Sequence, residues 1–113
     1  RSVDLVVVVS DATGATATDD DRSERRAAAA AEAAMRRGDR VLIVLRSGDA
    51  RACRRLRYYL RRQPSRGRLS VISNADVVCV DGVDRVEAVV IRSLRTGRLV
   101  AVNTAAFIDA DRP

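Results

Sequence analysis

Eight arginines and no acidic residue lie between residues 51 and 68, which gives this segment a local charge of +8. The other residues carry a net charge of −2, so the whole formal charge of +6 comes from one short stretch. Guanidinium groups pair with phosphate oxygens through two parallel hydrogen bonds and release the counterions of a polyanion. The charge distribution therefore predicts a surface that binds nucleic acid through its backbone.

Most of these arginines fall on one face of a predicted helix over residues 50–62, which ends before Pro64. A turn of 100° per residue places Leu56 and Leu60 on the packing face and the arginines on the opposite one. Tyr58 lies beside the arginines, where its ring can stack on a base or sugar. The candidate nucleic-acid-binding residues are Arg46, Arg51, Arg54, Arg55, Tyr58, Arg61, Arg62 and Arg85. A solvated helix face, or a surface for an acidic partner protein, is the alternative explanation.

The remaining residue types limit the chemistry open to the chain. It contains no histidine, which excludes acid–base or nucleophile-activation schemes built on imidazole. Two cysteines without histidine do not provide the ligand set of a typical zinc site, and the apolar neighbours of Cys53 and Cys79 predict two buried thiols. No uninterrupted apolar stretch is longer than that of residues 27–31, and this is far shorter than a membrane span. We expect a soluble protein in the cytoplasm.

The first half of the chain alternates between strand and helix patterns. Residues 3–9 are apolar apart from Asp4, a pattern typical of a strand that is buried on both faces. A helix is predicted over residues 22–37, because acidic residues precede it and Gly38 provides a left-handed end. A second buried strand is predicted over residues 41–45, ahead of the arginine-rich helix.

The second half has strand patterns. Residues 69–73 and 77–80 are short runs rich in strand-forming residues, and the Asp81-Gly82 pair predicts a hairpin because both residues tolerate a positive φ. Residues 86–91 then form the returning strand, although a helix over residues 84–95 is a competing interpretation. Residues 99–102 predict a further strand. The fold class is therefore α+β, an α/β sandwich with the order β-α-β-α-β-β and an extra C-terminal strand.

This layout resembles the Alba-like superfamily, and most closely its stage V sporulation protein S branch. The similarity is carried by residues 67–73 and 77–91, which resemble the paired strands of that branch around an Asp-Gly turn with an arginine a few residues on. It covers residues 3–95 of a single domain over residues 1–113. Residues 96–113 form a C-terminal extension in this interpretation.

The resemblance implies a homodimer that binds RNA or DNA in a regulatory or architectural role, with no cofactor, no metal and no catalysis. Members of the family contact the nucleic-acid backbone with three loops. In this chain the loop that enters the second predicted helix matches best, through Arg46 and Arg51. At the hairpin tip, Arg85 is the basic residue beside two aspartates.

A second resemblance is to von Willebrand factor A-like domains, which are protein-interaction modules. It is carried by residues 37–44 after the Ala-rich helix, and by polar residues that follow predicted strands: Asp11, Thr13, Thr16 and Asp81. Oxygen ligands at strand ends can bind Mg²⁺, so this interpretation implies a degenerate metal site. Helix capping and turn formation explain the same residues without a metal.

Overall fold

The computed structural model describes residues 4–10, 17–46, 54, 60 and 68–110. Their elements in chain order are β1 (Leu5–Ser10), α1 (Ala17–Arg36), β2 (Arg40–Leu45), β3 (Leu69–Ser73), β4 (Ala75–Asp81), β5 (Ala88–Ser93), β6 (Leu99–Asn103) and β7 (Ala106–Asp109). Residues 54 and 60 are helical. Across these ranges, we find no helix that combines the length and the apolar character of a membrane span.

A parallel sheet with the order β3-β2-β1-β7 forms the centre of the structure. Each of the residues from Val6 to Val9 in β1 is at most 2% exposed. Strands that are covered on both faces favour such uninterrupted β-branched runs, because neither side chain direction points to water. The prediction of a doubly buried first strand is confirmed.

Helix α1 covers one face of this sheet with a row of small residues. Ala27, Ala31 and Ala34 are fully buried and belong to a core cluster with Val8 and Ile43. The helix begins five residues earlier than predicted, so the acidic residues 19–21 lie within its first turns. At the other end, Gly38 adopts a positive φ of 88° and its N–H donates to Met35 at 3.0 Å, as the sequence predicted for a glycine-terminated helix.

Strands β4, β5 and β6 form an antiparallel sheet that packs on the opposite face. The predicted hairpin is confirmed, although the returning strand begins at Ala88, and the Glu87 N–H closes the turn on the Asp81 carbonyl at 2.9 Å. The competing helix over residues 84–95 is wrong. Val89 and Ile91 alternate with more exposed neighbours and are buried against the parallel sheet, which is the period of a strand.

Strand β7 returns from the antiparallel sheet to pair with β1, an element that the sequence analysis missed. The Ala105 N–H donates to Leu5 at 2.9 Å, and the Ala110 N–H donates to Val9 at 2.9 Å. The hydroxyl of the buried Thr104 lies 2.6 Å from the Leu5 carbonyl oxygen. This strand covers the edge of β1 that β2 leaves open.

The arrangement differs from the predicted Alba-like layout. The protein does mix helix and strand, but β3 pairs in parallel with β2 instead of opening the antiparallel group, and the last strand joins the parallel sheet. These pairings connect residues far apart in the chain, so the local patterns did not distinguish them. The extent of the single domain, residues 1–113, stays a prediction.

Two glycines with positive φ provide a test of the hairpin turn. A Cβ at Gly82, where φ is 154°, would meet the Arg85 carbonyl oxygen at 1.8 Å, whereas a Cβ at Gly97, where φ is 76°, meets nothing within 4 Å. We expect Gly97→Ala to lower the free energy of unfolding by about 1–2 kcal/mol through its backbone alone. Gly82→Ala adds a steric cost of about 1–3 kcal/mol. Urea unfolding measures both, and equal losses would contradict the described turn.

Candidate functional site

The carboxyl ends of the parallel strands lie together at one end of the sheet, which we call the carboxyl edge. Strand β1 has β2 on one side and β7 on the other, so the strand order reverses at β1. Ligands of open α/β sheets bind in the crevice beyond such a reversal. Here the backbone N–H of Arg46 donates to the Ser10 carbonyl oxygen at 3.0 Å, which fixes Arg46 beside the end of β1.

The Arg46 side chain is held by a carboxylate from the start of β4. Its Nε donates to Oδ1 of Asp76 at 2.6 Å, and the two side chains are 27% and 25% exposed. Asn74, with a positive φ of 56°, turns the chain between β3 and β4 and so brings Asp76 to this edge. A partly buried charge-assisted hydrogen bond is screened less than a surface pair, and it restricts the guanidinium to one orientation.

In open α/β sheets that bind a dinucleotide, the two ends of the ligand contact different parts of such an edge. The ribose of a bound adenosine lies near the end of the second strand, where an acidic side chain accepts a hydrogen bond from its 2′-hydroxyl or an arginine binds a 2′-phosphate. Arg46 and Asp76 place one side chain of each kind at this end of β2. The pyrophosphate requires a glycine-rich turn into the first helix.

The sequence between β1 and α1 lacks the glycines that a pyrophosphate-binding turn requires. Residues 10–16 contain a single glycine, Gly14, where the dinucleotide fingerprint has three. Helix α1 begins at Ala17, and its positive end favours anions, but Asp19, Asp20 and Asp21 add negative charge to its first turns. The adenosine end therefore fits this chain better than the pyrophosphate does.

Arg85 lies at the opposite end of the sheet from Arg46. It lines a cavity of about 420 Å³ with Asp4, Arg40 and Glu87, and Arg40 begins β2 whereas Arg46 follows the end of β2. The six residues of β2 span roughly 20 Å, so Arg40 and Arg46 lie at opposite edges of the sheet. The structure therefore does not bring these two predicted site residues together.

The predicted arginine-rich helix is described at two positions only. Arg54 is exposed and Leu60 is buried against the core that α1 covers, which agrees with their predicted faces. The other predicted site residues of this helix lie outside the described residues: Arg51, Arg55, Tyr58, Arg61 and Arg62. A binding role for them stays a prediction.

The predicted Mg²⁺ ligands do not form a described metal site. Asp81 ends β4 in the antiparallel sheet, whereas Asp11, Thr13 and Thr16 follow β1 and lie outside the described residues. In the described part of the chain, no three acidic or cysteine side chains group closely enough to hold a metal ion.

Cys79 is exposed, so the prediction of a buried thiol is wrong at this position; Cys53 lies outside the described residues. A register shift between Val77 and Cys79 pairs Val77 with the buried Ile91 but Cys79 with Val90. This bulge moves the cysteine to the outer face of the sheet, because strand side chains alternate between faces. The thiol lies 3.1 Å from Oδ1 of Asp81, to which it donates a hydrogen bond.

Asp81 disfavours ionisation of the Cys79 thiol. Its hydrogen bond with the thiol, together with desolvation and its negative charge, raises the pKa of Cys79 above the ordinary value. The thiolate is the reactive form, so a raised pKa lowers the reaction rate near neutral pH. We expect Asp81→Asn to lower this pKa and to increase the rate of iodoacetamide alkylation at pH 8.

The alkylation experiment uses a Cys53→Ser background, so that Cys79 is the one thiol. Asp84→Asn, two residues beyond the hairpin glycine, is the control for a general change in surface charge. A rate that rises equally in both variants would contradict a specific effect of Asp81.

Comparison with solved structures relates this fold to oxidoreductases. Thioredoxin reductase from Streptococcus pyogenes MGAS5005 matches with a TM-score of 0.64 and 18% identity over 95% of this chain and 30% of that one. Histamine dehydrogenase from Rhizobium sp. 4-9 matches with a TM-score of 0.66 and 18% identity over 96% of this chain and 15% of that one. Thioredoxin reductase from Giardia duodenalis gives a TM-score of 0.59 and 18% identity over 96% and 30%.

These matches show that the chain has the fold of a part of such enzymes. It spans less than a third of the length of each of them. No protein-family model matches the sequence, and the search of curated proteins gives no match.

The structural matches overturn the functional interpretation of the sequence. They are oxidoreductases, so the Alba-like, sporulation-related and von Willebrand factor A-like resemblances are wrong, as is the prediction of a non-enzymatic nucleic-acid-binding domain. The same matches contradict the predicted partners, which were nucleic acid, a second copy of the chain and an acidic protein. Both faces of the parallel sheet are covered within the chain, by α1 on one side and by the antiparallel sheet on the other.

Asp76 is the site residue that the sequence analysis missed. It lies 30 positions from Arg46 and one position after a buried alanine in a strand, where the sequence has no motif that marks it. The sequence feature that could have located this site is the position of Arg46 directly after the second parallel strand.

Proposed function

We propose that this chain is a nucleotide-binding domain of an oxidoreductase and that it holds the adenosine end of an adenine nucleotide at the carboxyl edge. The observation that carries the proposal is the position of Arg46, which is hydrogen-bonded to the end of β1 where the strand order reverses. Similarity to parts of thioredoxin reductases and of a histamine dehydrogenase supports it.

The Arg46–Asp76 pair provides the polar groups that a ribose needs. Ribose hydroxyls donate and accept hydrogen bonds, and the pair offers guanidinium donors and carboxylate acceptors at one place. Because the Arg46 Nε is bonded to Asp76, the guanidinium loses little conformational entropy when a ligand binds. In this proposal the two residues orient the adenosine.

The phosphates of the nucleotide approach the N-terminus of α1. The helix dipole attracts them, while the aspartates of the first turns repel them. Adenosine contacts therefore contribute the larger share of the affinity. A nicotinamide dinucleotide would supply hydride transfer when bound, and the residues of this chain would hold its adenosine end.

A cytoplasmic location is part of the proposal. The free thiol of Cys79 on the protein surface supports a reducing compartment, where exposed thiols persist.

Binding of ADP to the chain, measured by calorimetry, tests the proposed function. Arg46→Ala removes the guanidinium and leaves the Asp76 carboxylate unpaired beside an anionic ligand. We expect the affinity for ADP to fall by about tenfold to a hundredfold, since hydrogen bonds to charged groups contribute about 1.5–3 kcal/mol.

Arg40→Ala is the matched control, because Arg40 is an exposed arginine at the other end of the same strand. We expect it to leave ADP binding unchanged. Circular dichroism confirms that both variants fold. Absence of ADP binding to the unaltered chain, or equal losses in the two variants, would refute the proposed function.

A further inference from the structure

We infer that Asp76 makes this site select adenine nucleotides without a 2′-phosphate, so that NAD(H) binds in preference to NADP(H). The inference rests on the proposed function and concerns its specificity. It is carried by the ion pair between Asp76 and Arg46 at the end of β2.

The charge of Arg46 is already balanced in the folded chain. Its Nε lies 2.6 Å from the Asp76 carboxylate, and about three quarters of each side chain is buried, so water screens the pair only partly. Arg92 lies opposite Asp76 in the register of β4 and β5, but the ion pair formed within the described residues is the one to Arg46. An arriving ligand therefore meets a neutral pair instead of an isolated cation.

The two classes of nucleotide respond differently to a neutral pair. A 2′-phosphate carries a charge of about −1.5 to −2 at neutral pH, like other phosphate monoesters, and Asp76 repels it across a single guanidinium. A free 2′-hydroxyl is uncharged and can donate a hydrogen bond to the carboxylate. An acidic side chain near the end of the second strand is the general basis of selection for a 2′-hydroxyl, whereas an arginine accommodates a 2′-phosphate.

An arginine at this position would by itself predict NADP(H), and Asp76 reverses that prediction. The carboxylate comes from β4 of the other sheet, so the specificity depends on how the two sheets are joined at Asn74. In this inference Asp76 accepts a hydrogen bond from the 2′-hydroxyl or repels a 2′-phosphate, and it also neutralises the positive charge of Arg46.

Titration of the chain with NADH and with NADPH tests this inference, because the two nucleotides differ only in the 2′-phosphate. We expect the unaltered chain to bind NADH at least about tenfold more tightly, as followed by nicotinamide fluorescence or calorimetry. Asp76→Asn retains an oxygen that can accept from the Arg46 Nε but removes the negative charge. We expect it to reduce the preference by about tenfold, mainly through tighter NADPH binding, and to increase the salt dependence of that binding.

Asp81→Asn is the matched control, since it removes a carboxylate from the same strand at an exposed position away from Arg46. We expect the control to leave the ratio of the two affinities unchanged. Asp76→Ala separates charge from orientation, because it also removes the hydrogen-bond acceptor and should weaken NADH binding. Urea unfolding confirms that the variants are folded.

The outcomes distinguish the two proposals. If the chain binds neither NADH nor ADP, the proposed function fails, and the inference fails with it. If the chain binds both dinucleotides equally or prefers NADPH, the inference alone is overturned. An Asp76→Asn variant that changes both affinities by the same factor overturns it as well.

Discussion

The central position of β1 is the constraint on which the rest of the structure depends. Its four valines are buried on both faces, so its backbone groups must be satisfied by neighbouring strands and its side chains by layers above and below. Strands β2 and β7 meet the first requirement, while α1 and the antiparallel sheet meet the second. A valine run of this kind therefore requires a strand in the middle of three layers. It also requires a neighbouring strand on each edge, and β7 provides the second of these.

Parallel pairing also determines where chemistry can occur. Because β1, β2 and β3 run in the same direction, the residues that follow them meet at one edge, and the residues that precede them meet at the other. Arg46 and Asp76 lie at the first edge, and Arg85 lies with Arg40 at the second. The ion pair is partly buried, and its two side chains come from separate elements.

The charge of the segment over residues 51–68 misdirected the functional interpretation. Arginine density indicates an affinity for phosphate or carboxylate groups, and it does not identify the molecule that bears them. The strand–helix–strand beginning is likewise common to several fold families, including those named from the sequence. The similarity of the whole fold to parts of oxidoreductases, which no local pattern marked, overturned those interpretations.

The sequence by itself determined the local elements: the apolar runs of β1, β2 and β3, the end of α1 at Gly38, and the hairpin at Gly82. These features depend on neighbouring residues and on backbone preferences, which a sequence displays directly. Only the tertiary structure decided the pairing of β7 with β1, the outward orientation of Cys79 and the ion pair of Arg46. The hydrogen bond from Thr104 to Leu5 spans 99 positions and that from Arg46 to Asp76 spans 30, so both depend on how the two sheets pack together.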